Sequence, residues 1–438
     1  MMVPNTPKKL QIGHFKFQNH LIKYIKTLLL TKIYVDIMRK VNLILGAFIA
    51  VALLCSCNGD KKAAKDGQSS NGELKSGLKA EDFKTTYKND LKGEKEVALY
   101  TLANENGMEV DITNFGGRIV SIMVPDKDGN FQDVVLGFDK VEKYFPQNNQ
   151  TDYGSAIGRY ANRIAQGKIT ADGKEIQLPQ NNFGHCLHGG PDGWQYQVYD
   201  AKQIDDKTLE LTMDSPDGDN NFPGNLKATV IYKLTDDNAI EISYKATTDK
   251  LTVINMTNHS YFNLSGDPNN TIADELITVN ADSYTPTDTT YMTTGEIKSV
   301  EGTVFDLRKE CKLGENFGDA DPEVKAAGGG FDHNWCLNTK GDKTKEAVKL
   351  FDPRSGIVLQ VYTNEPGIQV YTGNFQDGSC VGKKGITYQK QCAVCLETQK
   401  YPDSPNKYNK PGWEDSNCWL KPGETYESYC KFAFSVKK

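Results

Sequence analysis

The sequence lacks an apolar run long enough to cross a membrane. The one at residues 41–54 stops at about 14 residues, short of the roughly 20 that a spanning helix needs. Histidine is scarce: six in 438 residues, with His14 and His20 far upstream. No HExxH is present, so a helical zinc-peptidase site is excluded, and no G-x-S-x-G nucleophile elbow occurs. Long stretches of 3.6-residue periodicity are also scarce, which argues against a helical body. Positive charge is missing where nucleic acid would need it. Residues 1–57 hold eight bases and one acid; with a net charge of −6 overall, residues 58–438 carry −13. An acidic body is a poor partner for phosphates.

What is present at the N-terminus is an address. From Met38 the chain reads Arg39 and Lys40, an apolar run, then small and polar residues, the pattern of a signal peptide over 38–56. Leu54-Cys55-Ser56-Cys57 resembles the cleavage box of bacterial lipoproteins. That resemblance implies a lipidated Cys57 as mature N-terminus; Cys55 is the competing position, with Leu54 a poor residue before it. Residues 1–37, basic and mixed, fit neither leader nor fold and are read as a mis-called extension upstream of Met38. Residues 57–77 are polar and rich in Gly, Ser and Lys, a flexible tether. The folded body is expected over 78–438. The chain is expected to be exported, held to a bacterial membrane by lipid, facing the periplasm or cell surface, and monomeric.

The body reads as strands. Alternation marks residues 96–102, 108–113, 119–124, 134–138, 209–213, 227–234, 240–246, 275–280, 357–362 and 369–371. Asp-Gly, Pro-Asp-Gly and Pro-Gly turn signals separate them. The expectation is an all-β protein, one large β-sandwich with a few short helices. Gly328-Gly329-Gly330 is too short to be a linker, so 78–438 is one domain.

Three of the four remaining histidines lie in unusual settings: Leu187-His188-Gly189-Gly190, Asn258-His259-Ser260-Tyr261 and Phe331-Asp332-His333-Asn334. A carboxylate, Glu397, follows a short apolar run in Leu396-Glu397-Thr398-Gln399. Singly, each suits a satisfied structural residue better than a catalyst. Together with Thr113-Asn114-Phe115-Gly116-Gly117-Arg118, Gly158-Arg159-Tyr160-Ala161-Asn162-Arg163-Ile164, Ser215-Pro216-Asp217-Gly218 with Phe222-Pro223-Gly224-Asn225-Leu226, and Gly367-Ile368-Gln369-Val370-Tyr371-Thr372-Gly373-Asn374, they form eight ordered blocks. In that order the chain resembles the aldose 1-epimerase (galactose mutarotase) family over essentially all of 78–438.

The resemblance implies a large mutarotase-like supersandwich whose concave face binds a monosaccharide. It implies Glu397 as general base and His259 as general acid in the interconversion of α and β aldohexoses such as glucose and galactose. It also implies Asn162, Arg163, His188, Asp332 and Gln369 as sugar contacts. Tyr261, Tyr371 and Trp335 are candidates for an apolar sugar face, with core packing the competing role. Arg159 is read as structural. The run Gly193-Trp194-Gln195-Tyr196-Gln197 departs from the Gly-Phe-Asp-Lys of many relatives, which bears on the rim of the binding site.

The chemistry needs these groups. Ring opening removes a proton from the C1 hydroxyl while the ring oxygen gains one, and a carboxylate with an imidazolium assists both transfers. No metal and no organic cofactor are required. A surface lipoprotein that binds sugar without turnover is the alternative, and intact Glu397 and His259 argue against it. An epimerase for phosphorylated hexoses would want further basic residues, which the blocks lack. Cys392-Ala393-Val394-Cys395 has no second CxxC beside it. On a strand its thiols would lie about 10 Å apart, too far for a disulfide. Cys186, Cys311, Cys336, Cys380, Cys418 and Cys430 leave disulfide pairing open.

Overall fold

The computed structural model describes residues 74–89, 93–149 and 151–438. The expected extension, signal segment, Cys57 and most of the expected tether lie outside the described residues. Two antiparallel sheets dominate. The larger has nine strands, in the spatial order Asp200–Asp205, Thr208–Ser215, Leu226–Leu234, Ala239–Thr248, Tyr426–Val436, Ile357–Thr363, Glu346–Phe351, Leu276–Val279 and Cys311–Lys312. The second has six: Tyr261–Phe262, Val394–Gln399, Gly367–Tyr371, Asp332–Leu337, Ala281–Thr285 and Lys298–Ser299. A four-stranded sheet runs from Leu99–Ala103 to Phe131–Asp133. Two short α-helices, Pro322–Ala326 and Ser404–Lys407, are the described α-helical segments.

Alternation explains the packing. In Leu226–Leu234 the buried residues are Leu226, Ala228, Val230, Tyr232 and Leu234, while Lys227 and Lys233 point to water. They share one continuous apolar cluster with Trp335, Ile368, Val370 and Leu396 of the six-stranded sheet. Phe262 meets Phe432 with ring centroids 5.0 Å apart, a contact that joins the two sheets. Each such side chain removed from water contributes roughly 1.5–3 kcal/mol.

The all-β sandwich agrees with the sequence reading, but alternation left strands such as Asp200–Asp205, Ala281–Thr285, Asp332–Leu337 and Glu346–Phe351 unmarked, and three local details are instructive. Residues 96–102 divide into Gly93–Val97 and Leu99–Ala103, because the Asn114 side chain takes the Ala98 N–H at 2.9 Å. Residues 134–138 are no regular strand. Val134 N–H bonds to Ile122 of the four-stranded sheet, and Leu136 N–H bonds to Tyr261 of the six-stranded sheet. This apolar segment thus crosses between sheets, and both its faces are buried. The third detail is Tyr426–Val436, the longest strand among the described residues, which the alternation reading did not single out; it pairs with both Ala239–Thr248 and Ile357–Thr363.

At the start of the described chain, Ser76 donates to the Asp111 carboxylate at 2.6 Å, and Lys75 N–H donates to Glu109. Burial pushes the Asp111 carboxyl up to about 6. The eight described cysteines are all free thiols. Cys392 sits in a turn before the Val394–Gln399 strand, and both it and Cys395 are buried.

Arg159 has the structural role expected of it. Its buried guanidinium donates to the carbonyls of Pro223 (2.8 Å), Gly224 (3.1 Å) and Ser215 (3.1 Å) and to the Ser215 hydroxyl (2.6 Å). Arg159→Met strands those buried acceptors, each worth roughly 1–3 kcal/mol. The variant is expected to lose about 3 kcal/mol or more in urea denaturation.

Candidate active site

The site is built by three neighbouring strands whose faces have opposite character. In Val394–Gln399, Val394 and Leu396 point into the sandwich core, so Cys395, Glu397 and Gln399 point the other way. In Gly367–Tyr371, Ile368 and Val370 take the core side, leaving Gln369 and Tyr371 opposite. In Asp332–Leu337, Trp335 and Leu337 are core, leaving Asp332, Asn334 and Cys336. The register aligns them: Asn334 lies opposite Gln369, which lies opposite Glu397. Asp332 lies opposite Tyr371, Tyr371 opposite Cys395, and Cys395 opposite Tyr261.

This polar floor is buried, and its groups hold one another. Gln369 Nε2 donates to Asp332 Oδ1 at 2.7 Å. Gln399 Nε2 lies 3.3 Å from both Gln369 Oε1 and Asn334 Oδ1. The Arg163 guanidinium lies 3.8 Å from Asp332 Oδ2 and donates through Nε to Asn182 Oδ1 at 3.0 Å. Asn162 N–H donates to His188 Nδ1, and His188 N–H donates to the Asn162 carbonyl, both at 3.1 Å. With Nδ1 accepting, the neutral His188 ring carries its proton on Nε2. Burial pushes the His188 imidazole well below its ordinary value, and neighbouring His259 and Arg163 add to the effect.

Above the floor, Thr257–His259 pairs with Ser155–Ile157, and this ladder presents His259 to Glu397. His259 Nε2 lies 3.4 Å from Glu397 Oε1. The His188 and His259 rings meet edge to face at 5.2 Å. His259 Nδ1 and Glu397 Oε2 are buried and have no hydrogen-bond partner among the described residues. Burial raises the Glu397 carboxyl to about 7; His259 opposes the rise, and Asp332 and Asp152 support it.

The expected residues His259, Glu397, Asn162, Arg163, His188, Asp332 and Gln369 therefore converge. Tyr261 and Tyr371 flank His259, with ring centroids 5.1 Å and 6.5 Å from it, and both are largely buried among other aromatics. Trp335 belongs to the core; its indole N–H donates to the Phe305 carbonyl. The Trp194–Tyr196 departure falls in buried packing rather than at the rim: the Trp194 ring occupies the space where a Cβ on Gly158 would stand.

Sequence reasoning missed Asp152, Asn334 and Gln399. The signal for two was available, since Asn334 and Gln399 stand two residues from Asp332 and Glu397 and so share their face. Nothing local marks Asp152. Its carboxylate and the rings of His188 and His259 bring one potential ligand atom each within 4.8 Å of one another. These three are the described groups most nearly placed to hold a metal ion.

A buried carboxylate–imidazole pair on a polar sheet floor is the equipment of a proton-transfer enzyme built on a β-sandwich. A sequence profile of the family described as aldose 1-epimerase matches residues 98–433. Galactose mutarotase from Homo sapiens is 42% identical over 330 residues, 75% of this chain and 92% of that protein. Aldose 1-epimerase from Escherichia coli (strain K12) is 38% identical over 336 residues, 77% of this chain and 94% of that protein. Among solved structures, an aldose epimerase homologue from C. elegans superposes with a TM-score of 0.71 at 30% identity, covering 78% of this chain and all of that one. Galactose 1-epimerase from Lactobacillus acidophilus gives a TM-score of 0.68 at 28% identity, covering 81% and 99%. The chain belongs to the aldose 1-epimerase family.

A raised carboxyl carries a stability cost with a definite sign. The unfolded chain releases the Glu397 proton near the ordinary value of 4.5, and the folded chain holds it up to about 7. Folded stability therefore falls as pH rises between those values. Glu397→Gln, which carries no charge, is expected to exceed the parent by about 1–3 kcal/mol at pH 8. The gain is expected to vanish near pH 4.5, the ordinary value, as read by urea denaturation at both pH values.

Proposed function

We propose that this protein is an isomerase, an aldose 1-epimerase that interconverts the α and β anomers of aldohexoses such as glucose and galactose. The observation that carries the reading is the buried Glu397–His259 pair at 3.4 Å, set beside a hydrogen-bonded polar floor. Family membership supports the same activity.

The geometry supports the following steps. Ionised Glu397 takes the proton from the C1 hydroxyl. The electron pair of that O–H bond forms the aldehyde C=O, and the C1–O5 bond breaks. O5 takes a proton from the His259 imidazolium. Rotation about C1–C2 presents the other aldehyde face. The reverse transfers then close the ring, with His259 regaining its proton from O5 and Glu397 returning one to O1. No net proton is gained or lost. Glu397, held near 7, is close to the optimum for a base working at neutral pH.

The remaining residues suit the hydroxyls. Arg163 and the Nε2–H of His188 donate, Asp332 accepts, and Asn162 and Gln369 do both. Because Gln369, Asp332 and Gln399 are already hydrogen-bonded to one another, little reorganisation is needed when sugar arrives. Tyr261 lies beside His259 and shapes the apolar side of the ring site.

Polarimetry on freshly dissolved α-D-glucose and α-D-galactose tests the reading. Glu397→Gln is expected to lower kcat by at least about 10²-fold. In the parent, kcat/KM is expected to fall about tenfold per pH unit below about 7, where Glu397 becomes protonated. Activity that persists unchanged to pH 5 would sink the assignment of Glu397 as base. Sugar binding without acceleration would point instead to a non-catalytic sugar-binding lipoprotein.

We further propose export and anchoring. Residues 38–56 serve as the signal peptide, Cys57 carries lipid, the tether read over 57–77 ends before Lys75 and Ser76, which bond to Glu109 and Asp111, a monomeric domain follows, and 1–37 are not translated. The support is the residue pattern from Met38 to Cys57. Mass spectrometry of the membrane fraction is expected to find a diacylated N-terminal Cys57, with Cys57→Ser releasing the protein or blocking its processing. An unlipidated mature chain, or peptides from residues 1–37, would overturn this; sedimentation of the soluble domain reads the monomer.

A further inference from the structure

We propose that Asp152 is a positioning residue of the reaction, a fixed carboxylate beside the His259 ring that favours the imidazolium needed to protonate the sugar ring oxygen. Asp152 acts through His259 and Glu397 and not on the sugar itself. The proposal rests on the mutarotase reading and adds a third charged group to its acid–base pair.

Unpartnered polar atoms mark the place. Asp152 Oδ1, His259 Nδ1 and Glu397 Oε2 are all buried and without a hydrogen-bond partner among the described residues. Such atoms are rare in folded proteins, and each calls for an explanation. The Asp152 carboxylate lies within 4.8 Å of a ring nitrogen of His259 and of one of His188. His259 Nε2 is turned to Glu397 at 3.4 Å, which leaves Nδ1 for Asp152. One bridging water or a small ring rotation spans the gap. The trio suits a metal ion poorly. The Asn162 N–H occupies the His188 Nδ1 lone pair, so Nε2 holds the proton and neither nitrogen is left to coordinate.

The chain holds Asp152 there firmly. The buried Arg118 guanidinium clamps the backbone on either side of it, donating to the Thr151 carbonyl at 3.0 Å and the Tyr153 carbonyl at 2.8 Å. Ser155 donates to the Asp152 carbonyl through its hydroxyl at 2.8 Å and its N–H at 3.1 Å. Gly154 N–H donates to the His259 carbonyl at 2.9 Å, and Ser155 lies opposite His259 in the strand ladder. The segment that carries Asp152 is thus laced to the strand that carries His259. None of these bonds uses the Asp152 side chain.

The surroundings show why a fixed charge is needed. His259 is buried, and a buried cation needs an anionic partner. Its ring neighbours His188, Tyr261 and Tyr371 supply none, because burial holds both phenols neutral. Arg163 is a cation on the floor, and Arg118 stands behind Asp152. Of the nearby anions, Asp332 is engaged by Gln369 and Arg163. Glu397 loses its charge in the step that takes the sugar proton. Asp152 keeps a charge that the reaction does not consume. Burial does most to raise the Glu397 carboxyl, and Asp152 adds to the rise, which makes Glu397 the stronger base. One carboxylate therefore supports both halves of the proton transfer.

The test is polarimetry on α-D-glucose and α-D-galactose over a range of pH, with Asp152→Asn and Asp152→Glu beside the parent. Asp152→Asn is expected to lower kcat about 10- to 10²-fold, at the low end of what a positioned acid supplies, and to leave KM within about threefold. The fall of kcat/KM on acidification should move to lower pH, because Glu397 loses a neighbour that raises it. The urea midpoint should not drop, since no folding hydrogen bond is removed. Asp152→Glu, which keeps the charge, should hold the acid limb at the parent's pH and recover most of kcat. Parent-like kcat and acid limb in Asp152→Asn would refute the proposal while the mutarotase reading stands. A raised KM at the parent's kcat would make Asp152 a sugar contact, and a kcat loss matched by lost stability would make it structural; either result overturns the proposal. So does Asp152→Glu behaving as Asp152→Asn. Acceleration of no sugar by the parent would remove the mutarotase reading, and the role of Asp152 with it.

Discussion

Three adjacent strands in this protein have to satisfy two buried faces at once. On the sandwich side they supply Trp335, Ile368, Val370 and Leu396 to the core. On the other side they carry Asp332, Asn334, Gln369, Glu397 and Gln399, and that side is buried as well. A buried polar group without a partner costs about as much as several good contacts contribute. The floor answers by tying its members together, Gln369 to Asp332 and Gln399 to Gln369 and Asn334. Buried atoms that stay outside that arrangement include Glu397 Oε2, His259 Nδ1 and Asn334 Nδ2. The same alternation that anchors the sheet thus leaves unsatisfied groups where a ligand can meet them.

Conflict between folding and chemistry is concentrated at one side chain. Folding favours a neutral Glu397, because desolvation is the largest influence on it. The role proposed for it as a base needs it ionised. A carboxyl balanced near neutrality serves both, and the nearby His259 keeps the imbalance small by opposing the rise. Asp152 and Asp332 pull the other way. With Arg163 also opposing the rise, the setting of this carboxyl is a compromise among four neighbours on different elements, and the sheet alone does not determine it.

Much of this was legible in the sequence, for physical reasons. Strands such as Leu226–Leu234 alternate cleanly because one face meets water. The segment at 134–138 misled because apolar residues buried on both faces look like a strand, whereas its hydrogen bonds go to two different sheets. His259 and Glu397 carried no local mark of catalysis; only the ordered blocks around them singled them out, and the fold then brought them together. Asp152 stayed hidden because it meets His188 and His259 from a segment far from both along the chain. Asn334 and Gln399 were readable by counting two residues along a strand.

The reciprocal clasp between residues 162 and 188 has an evolutionary consequence. Both residues hold left-handed backbone, with φ of +64° and +50°, and each bonds to the other's backbone. Their identities are thus constrained twice, by the hydrogen bonds they exchange and by what their backbone tolerates. Most single exchanges there would loosen the clasp and strain the backbone at once. The exposed ring of Phe183 bears no comparable burden of hydrogen bonds. A lineage, or a laboratory library, that explores new sugars from this ancestor would accumulate its changes at the rim and keep the clasp intact.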